Sequence, residues 1–202
     1  MILFGFFFSQ IYPDISVFYS NIVTIAKNSQ GLSDLPGING RHFNNDCVGF
    51  VKYVYFKCGV DLDKVSLQNG NNGVALLYGG LLNNNSLYSN KNIQLGDIIF
   101  FDNTYDINNN GLWDDPLTHI GILTRIGRHN TISYTHYASG EVKEYAVNLD
   151  YPDTHAFKQR DGGLYIINSH LRRERGEGYE RKEYVSSSFY RSFAHIRVKV
   201  KG

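Results

Sequence analysis

Residues 46–59 decide the fold and read Asp-Cys-Val-Gly-Phe-Val-Lys-Tyr-Val-Tyr-Phe-Lys-Cys-Gly. Apolar residues recur along this stretch at the spacing of one continuous helical face. They are Cys47, Phe50, Val51, Val54, Tyr55 and Cys58. Asn44, Asn45 and Asp46 are N-cap candidates, and Gly59 is a favourable C-terminal stop. The pattern predicts a helix whose apolar face points into the core.

The two cysteines of this helix need separate explanations. Eleven residues of helix place their α-carbons about 16 Å apart, too far for a disulfide. Cys58 is most simply a small core residue. Cys47 lies at the helix N-terminus, where backbone N–H groups and the helix dipole should favour the thiolate and lower its pKa. A second buried cysteine is the alternative until a base is found.

Composition excludes several classes of protein. The chain has 202 residues, a formal net charge of +1, two Cys and seven His. This size suits one domain with a sizeable core. Two cysteines exclude a disulfide-stapled miniprotein and a zinc site made of cysteines alone. The near-neutral charge excludes a wholly basic nucleic-acid coat protein, and no nucleic-acid-binding motif is present.

The two ends of the chain each allow two interpretations. Residues 1–14 begin with an apolar run that is too short to span a bilayer and that no Lys or Arg precedes. They form either a signal-peptide remnant or a hydrophobic segment that packs on the fold. Residues 171–202 hold nine Lys and Arg against four Glu. This excess indicates either a solvated segment or a patch for an anionic polymer.

Four apolar stretches predict an antiparallel meander. Residues 93–101, 117–126, 131–137 and 141–147 have strand character and are joined, after the first, by short turns. We therefore expect an α+β fold with the helix packed on this sheet. Residues 15–150 would form the domain, and residues 151–202 a basic extension packed on it.

Hairpin register singles out two of the seven histidines. If the hairpin is centred between Gly127 and Arg128, His119 lies directly opposite His136, with Cβ atoms about 5 Å apart. One imidazole could then act on a thiol while the second orients the first. A shift of one residue would break the pairing.

Three motifs in this order resemble the NlpC-type cell-wall cysteine peptidases, which are papain-like enzymes related to the CHAP amidases. Asp46-Cys47-x-Gly49-Phe50-Val51 resembles the nucleophile motif. Residues 95–101 resemble the strand before the base, and Thr118-His119-Ile120-Gly121-Ile122 resembles the strand that carries it. The resemblance covers roughly residues 20–150.

The resemblance implies an enzyme that hydrolyses an amide bond of bacterial cell-wall peptide, needs no catalytic cofactor and acts in the cell envelope, the periplasm or outside the cell. Cys47 would attack the carbonyl carbon, His119 would carry the proton, and His136 would fix the tautomer of His119. The residues expected to contact substrate or oxyanion are Asp46, Val48 and His42.

Two departures from the family pattern concern the substrate. Val48 stands where the family usually has Ser after the nucleophile, and the usual Tyr-Gly-Gly segment upstream of Cys47 is absent. The particular bond cleaved is therefore left open. A non-catalytic cell-wall-binding module on the same fold is the main alternative. A permuted acyltransferase ranks last because its His would precede its Cys.

A loop before His119 has the spacing of an EF-hand calcium loop. Its candidate ligands are Asp106, Asn108, Asn110, Leu112 through its carbonyl, Asp114 and Asp115. Gly111 takes the turn position, but the usual Glu at position 12 is replaced by Leu117. The sequence predicts a structural Ca²⁺ here. The alternative is an Asn/Gly-rich turn held by side-chain-to-backbone hydrogen bonds.

Overall fold

The computed structural model describes residues 14–89, 92–172 and 184–198. The three helices are α1 (Ile15–Asn28), α2 (Cys47–Lys57) and α3 (Gly73–Asn83). The strands are β1 (Leu87–Tyr88), β2 (Ile98–Phe101), β3 (His119–Ile126), β4 (Ile132–Ala138), β5 (Glu141–Val147), β6 (Ala156–Lys158), β7 (Leu164–Ile166) and β8 (Tyr190–Ala194). The expected N-terminal segment 1–14 lies outside the described residues except for Asp14.

Each α-helix begins at a residue whose short side chain accepts a backbone hydrogen bond. Asp14 accepts from the N–H of Ser16, and Asn72 from the N–H of Ala75. Asp46 does the same for α2. These caps satisfy N–H groups that have no partner within the helix, so the polar residue before each apolar run sets where the helix starts.

Six strands form one antiparallel sheet in the order β1-β8-β2-β3-β4-β5. The neighbours β2, β3, β4 and β5 are the predicted meander. Strand β8 lies between β1 and β2 and pairs with both. The C-terminal segment therefore supplies an inner strand of the sheet and does more than pack on the core. A short 3₁₀ turn at Ser186–Phe189 leads directly into β8.

The sheet buries both of its faces. One face packs on the helices, where Ile98, Phe100, Ile120 and Ile122 meet the apolar side of α2. The opposite face carries Ile99, Phe101, Leu123 and Tyr134, which pack against Tyr184 and Phe189 from the segment before β8. Alternate residues of one strand therefore enter different clusters. This alternation decides where the histidines point.

The α+β class and the packing of α2 on an antiparallel sheet are confirmed. The two cysteines are both free, as helix geometry predicted. Within the described ranges, every helix is too short or too polar to cross a membrane.

Candidate active site

Cys47 is the first residue of α2, and the motif around it has a structural reason. Oδ1 of Asp46 accepts the N–H of Gly49 at 2.6 Å, which caps the helix. A Cβ at Gly49 would lie 1.9 Å from the carbonyl oxygen of Asn44, so any side chain there would collide with the backbone. Asp46 and Gly49 together hold the incoming chain against the first turn and fix the position of Cys47.

The expected lowering of the Cys47 pKa is wrong. Burial, and after it the nearby charge of Asp46, raises the pKa of the Cys47 thiol to about 12. The backbone amides of Ile120 and Val48 act in the opposite direction but do not outweigh burial. Desolvation opposes a lone charge more strongly than a helix N-terminus favours it. The side chain of Cys47 is therefore a neutral thiol at neutral pH.

His119 and His136 are in contact, but through a different register from the one expected. Ile122 pairs with Thr135, which shifts the hairpin by two residues and brings Gly121 beside His136. The two histidines are diagonal neighbours on one face, and Nε2 of His119 lies 2.6 Å from Nδ1 of His136. A shift of two residues keeps both side chains on the same face, whereas a shift of one would have separated them.

Gly121 makes room for this pair. A Cβ at this position would stand 2.8 Å from the Tyr134 ring, 3.1 Å from the carbonyl oxygen of Thr135 and 3.3 Å from Cβ of His136. The Gly in the motif of β3 is thus explained by the close approach of β4. A larger residue would push the His136 ring away from His119.

Burial keeps both imidazoles neutral. It lowers the pKa of His119 to about 4 and the pKa of His136 well below its ordinary value. The charge of His119, and then that of Lys143, lowers the pKa of His136 further. Nε2 of His136 is enclosed without a hydrogen-bond partner, between the rings of Tyr134 and Tyr145. The pair is a buried contact between two uncharged rings.

The structure brings Cys47 to the strand of His119 without joining the two side chains. The backbone amide of Ile120 faces the sulfur, and Thr118 lines the same groove as Cys47. His119, between these two residues, turns toward Phe101, with ring centroids 6.2 Å apart. Both side chains are described, and no hydrogen bond joins Sγ of Cys47 to the His119 ring. Catalytic contacts are often loose before substrate binds.

A groove of about 400 Å³ opens beside the thiol. His42, Asp46, Cys47 and Val48 all line it, so the four sequence-predicted groove residues lie together. The side chains of Val48 and Val74 give this wall apolar character.

The cations of the groove are already paired. Arg41 binds Asp61 at 2.8 Å and also contacts Asp63, while Lys52 binds Asp63 at 2.6 Å. The carboxylates neutralise most of the positive charge that substrate would meet there.

Tyr105 is a groove residue that the sequence did not reveal. It comes from the loop between β2 and β3, and its side chain is about half exposed. Burial, and then the charges of Cys47, Asp115 and Asp46, raises the pKa of its phenol. The phenol therefore lies near the thiol. Its position in a long polar loop gave no periodicity by which to find it.

The loop predicted to bind calcium is closed by its own hydrogen bonds. Oδ2 of Asp106 accepts the N–H of Gly111 at 2.8 Å, and Oδ1 of Asn110 accepts the N–H of Leu112 at 2.8 Å. Nδ2 of Asn110 contacts the carboxylate of Asp114. Among the described residues, no cluster of three or more His, Cys, Asp or Glu has the arrangement of a metal site. These are the side-chain-to-backbone hydrogen bonds expected of an Asn/Gly-rich turn, and calcium binding stays a prediction.

Comparison with known families identifies the fold. The model of the NlpC/P60 family matches residues 35–161, which is more than half of the chain. The chain belongs to the NlpC/P60 family. The resemblance stated from the three motifs is confirmed. Members of this family are generally cell-wall peptidases and typically hydrolases.

One solved structure is similar to this NlpC/P60 chain. It is described as similar to a lipoprotein of the NLP/P60 family, from Staphylococcus aureus subsp. aureus Mu50. The two sequences are 23% identical, the match covers 67% of this chain and 38% of that one, and the TM-score is 0.38. No protein with a curated description matches the chain.

Proposed function

We propose that this protein is a cysteine-dependent amide hydrolase, an endopeptidase or amidase, that acts on peptides of bacterial peptidoglycan. The observation that carries the proposal is the contact between His119 and His136 on a strand whose backbone borders the thiol of Cys47. A thiol, an imidazole and a second group that orients the imidazole form the arrangement of a nucleophilic hydrolase.

The contact between the two rings assigns their tautomers in this proposal. Nε2 of His119 donates its proton to Nδ1 of His136, so Nδ1 of His119 carries a lone pair. His136 then holds its own proton on Nε2, facing the aromatic rings of Tyr134 and Tyr145. N–H groups form weak favourable contacts with such rings. His136 would thus keep Nδ1 of His119 ready to accept a proton.

The reaction would begin from two neutral groups. As Sγ of Cys47 bonds to the carbonyl carbon, Nδ1 of His119 takes the thiol proton. The amide C–N bond then breaks, and His119 gives that proton to the leaving nitrogen, which leaves a thioester on Cys47. Water then attacks the thioester; His119 takes one proton from this water and gives it to the departing sulfur, and the carboxylic acid product loses the other proton to solvent. The first transfer requires the His119 ring to turn toward the sulfur when substrate enters.

The N–H groups at the start of α2 would stabilise the oxyanion. The amides of Cys47 and Val48 lie in the first turn, where the helix leaves its N–H groups without internal partners. The phenol of Tyr105 is a second donor candidate because it shares the groove with Cys47. The Asp46 carboxylate already accepts the N–H of Gly49, so it would act by fixing the first turn of α2.

The groove supports a peptide substrate with an apolar group beside Val48. The usual Ser hydroxyl is replaced here by two methyl groups, so this wall offers no side-chain hydrogen bond. A peptidoglycan substrate places the protein in the cell envelope, the periplasm or outside the cell, and it would act without a catalytic cofactor. A binding module on the same fold would keep the groove but would not cleave.

Mass spectrometry of digested peptidoglycan tests the proposal. Purified peptidoglycan is incubated with the wild type, with Cys47→Ser and with Cys58→Ala as the control for loss of a thiol. We expect wild type and Cys58→Ala to release fragments with new amino and carboxyl ends, and Cys47→Ser to release none. Retention of the protein on peptidoglycan without new ends would favour the binding module. Equal cleavage by Cys47→Ser would contradict the proposal.

A further inference from the structure

A second concave site lies at the other end of β3 from His119. The turn between β3 and β4 and the hairpin of β6 and β7 enclose a cleft of about 440 Å³. Its cationic walls are Arg128, Lys158 and Arg160, and we call it the basic cleft. The eight residues of β3 separate it from the Cys47 groove by roughly 26 Å. A ligand bound there leaves that groove open.

The three cations of the basic cleft form no ion pair with an acidic side chain among the described residues. Arg41 and Lys52 are paired with aspartates in the Cys47 groove, and Arg191 binds Asp102. Other described cations, such as Lys27, Lys57 and Lys64, also lack an acidic partner, but they lie on separate elements, whereas the three cations here line one cavity. Converging like charges destabilise one another unless an anion joins them.

One carboxylate lines the basic cleft, and it is partly occupied. Oδ1 of Asp161 accepts the N–H of Gly163 at 3.0 Å within the hairpin turn. Three cations against one acid leave a net positive charge in the cleft at neutral pH.

Aromatic contacts hold the two walls together. The guanidinium of Arg128 lies 5.8 Å from the Tyr165 ring centroid, and the Tyr165 hydroxyl is 3.4 Å from the carbonyl oxygen of Arg128. Phe157 packs edge-on against His129, with ring centroids 5.1 Å apart. The turn and the hairpin are therefore fixed relative to each other before any ligand arrives, which lowers the entropic cost of binding.

We propose that the basic cleft binds a phosphate-bearing polymer. Arginine presents a planar fork of donors that suits phosphate oxygens, and the cleft has two arginines on opposite walls. The cations are exposed, so each phosphate adds little affinity by itself, and a chain that repeats the charge is held better than a single ion. The site would keep the protein on an anionic polymer while the Cys47 groove stays free.

Binding of long-chain inorganic polyphosphate at low salt tests this site. The triple variant Arg128→Gln, Lys158→Gln, Arg160→Gln is compared with a control triple, Lys27→Gln, Lys57→Gln, Lys64→Gln, which removes the same charge elsewhere. We expect the cleft triple to weaken binding roughly tenfold or more and the control triple to weaken it less than about threefold. Asp161→Asn should strengthen binding about twofold, because it removes the one repelling charge and keeps an acceptor for Gly163.

Several results would overturn the proposal. They are no binding of polyphosphate by the wild type, equal losses in both triple variants, and weaker binding by Asp161→Asn. Polyglutamate of matched charge serves as the comparison polymer, and equal affinity for it would contradict the assignment to phosphate. Pyrophosphate binding as tight as polyphosphate would contradict the assignment to a polymer. Asp161→Asn keeps the test decisive if the cleft triple fails to fold.

Discussion

Two histidine networks lie at different places in this molecule, and they are built from different partners. In the candidate site, Nε2 of His119 lies beside Nδ1 of His136, and neither ring contacts a carboxylate of the residues that the structure describes. At the other network, Nδ1 of His195 lies 2.8 Å from Oδ1 of the buried Asp97.

The second network joins distant parts of the chain. The Tyr19 hydroxyl of α1 contacts Nε2 of His195 at 2.7 Å and donates to the carbonyl of Ile196. Oδ2 of Asp97 accepts from the Tyr88 hydroxyl and from the N–H of Gln94. Every one of these groups has a partner on another element, which ties the C-terminal segment to α1 and to the start of β2.

Under the proposed function, the His119 network is the reactive one and the His195 network is structural. Hydrogen bonds to a carboxylate are among the stronger ones in proteins, so the contacts of Asp97 strengthen the junction between segments. Both buried imidazoles are uncharged at neutral pH, so in the proposed reaction His119 can take the thiol proton without first losing one. Changes in the two networks should therefore affect different properties of the protein.

The largest expected effect is on activity after His119→Ala. Without a proton acceptor, kcat/KM for a peptidoglycan peptide should fall roughly 100-fold or more. His195→Ala, the matched change in the other network, should leave kcat/KM within about threefold of wild type while lowering the melting temperature. Comparable losses of activity in the two variants would remove the functional distinction between the networks.

The pH dependence of stability gives the next largest effect. Burial lowers the pKa of His119 to about 4, from 6.5 in the unfolded chain. Between these values the unfolded chain binds more protons, so stability is lost as the pH falls from about 6.5 toward 4. The loss attributable to His119 is about 3 kcal/mol. Urea unfolding across this range should show a shallower decline for His119→Asn, and parallel curves would contradict the assignment.

Asp97→Asn tests the structural network. The amide keeps the shape of the carboxylate, but its NH₂ group faces groups that donate hydrogen bonds to Asp97 in the wild type. The free energy of unfolding should therefore fall by about 2 kcal/mol. Asp153→Asn, an exposed position, is the control. Activity per folded molecule should match wild type in both variants. A selective loss of activity in Asp97→Asn would show that the network serves the reaction.

His136→Asn is expected to have the smallest effect. Asn offers an oxygen that can accept from Nε2 of His119, so the tautomer is retained while the packing of the ring is lost. We expect kcat/KM to fall about tenfold in His136→Asn. It should fall further in His136→Ala, because alanine leaves Nε2 of His119 without an acceptor. Measuring both variants separates tautomer control from packing. Equal values for the two would indicate that His136 only fills space.

Local patterns predicted much of this fold and part of the site. The apolar face and the cap of residues 46–59 were enough to place α2, and strand alternation placed β3, β4 and β5. The face shared by His119 and His136 was also predictable, since a register error of two residues preserves it. These features depend on neighbours close in sequence.

Long-range packing set the features that were missed. Strand β8 pairs with β1 and β2, which lie far from it in the sequence. Nothing in the local sequence of β8 indicates these two partners. The Cys47 pKa depends on how deeply the groove buries the sulfur, and Tyr105 reaches the groove from an irregular loop. Both require the assembled surface around α2, which no single segment specifies.

The most direct test of the account is the alkylation rate of Cys47 by iodoacetamide at pH 7, followed by mass spectrometry of the peptide that contains it. Cys58, which is buried, is resolved as a separate peptide. If His119 takes the proton of Cys47, the rate should fall about tenfold or more in His119→Ala and stay unchanged in His195→Ala. An equal Cys47 rate in wild type and His119→Ala would contradict the account.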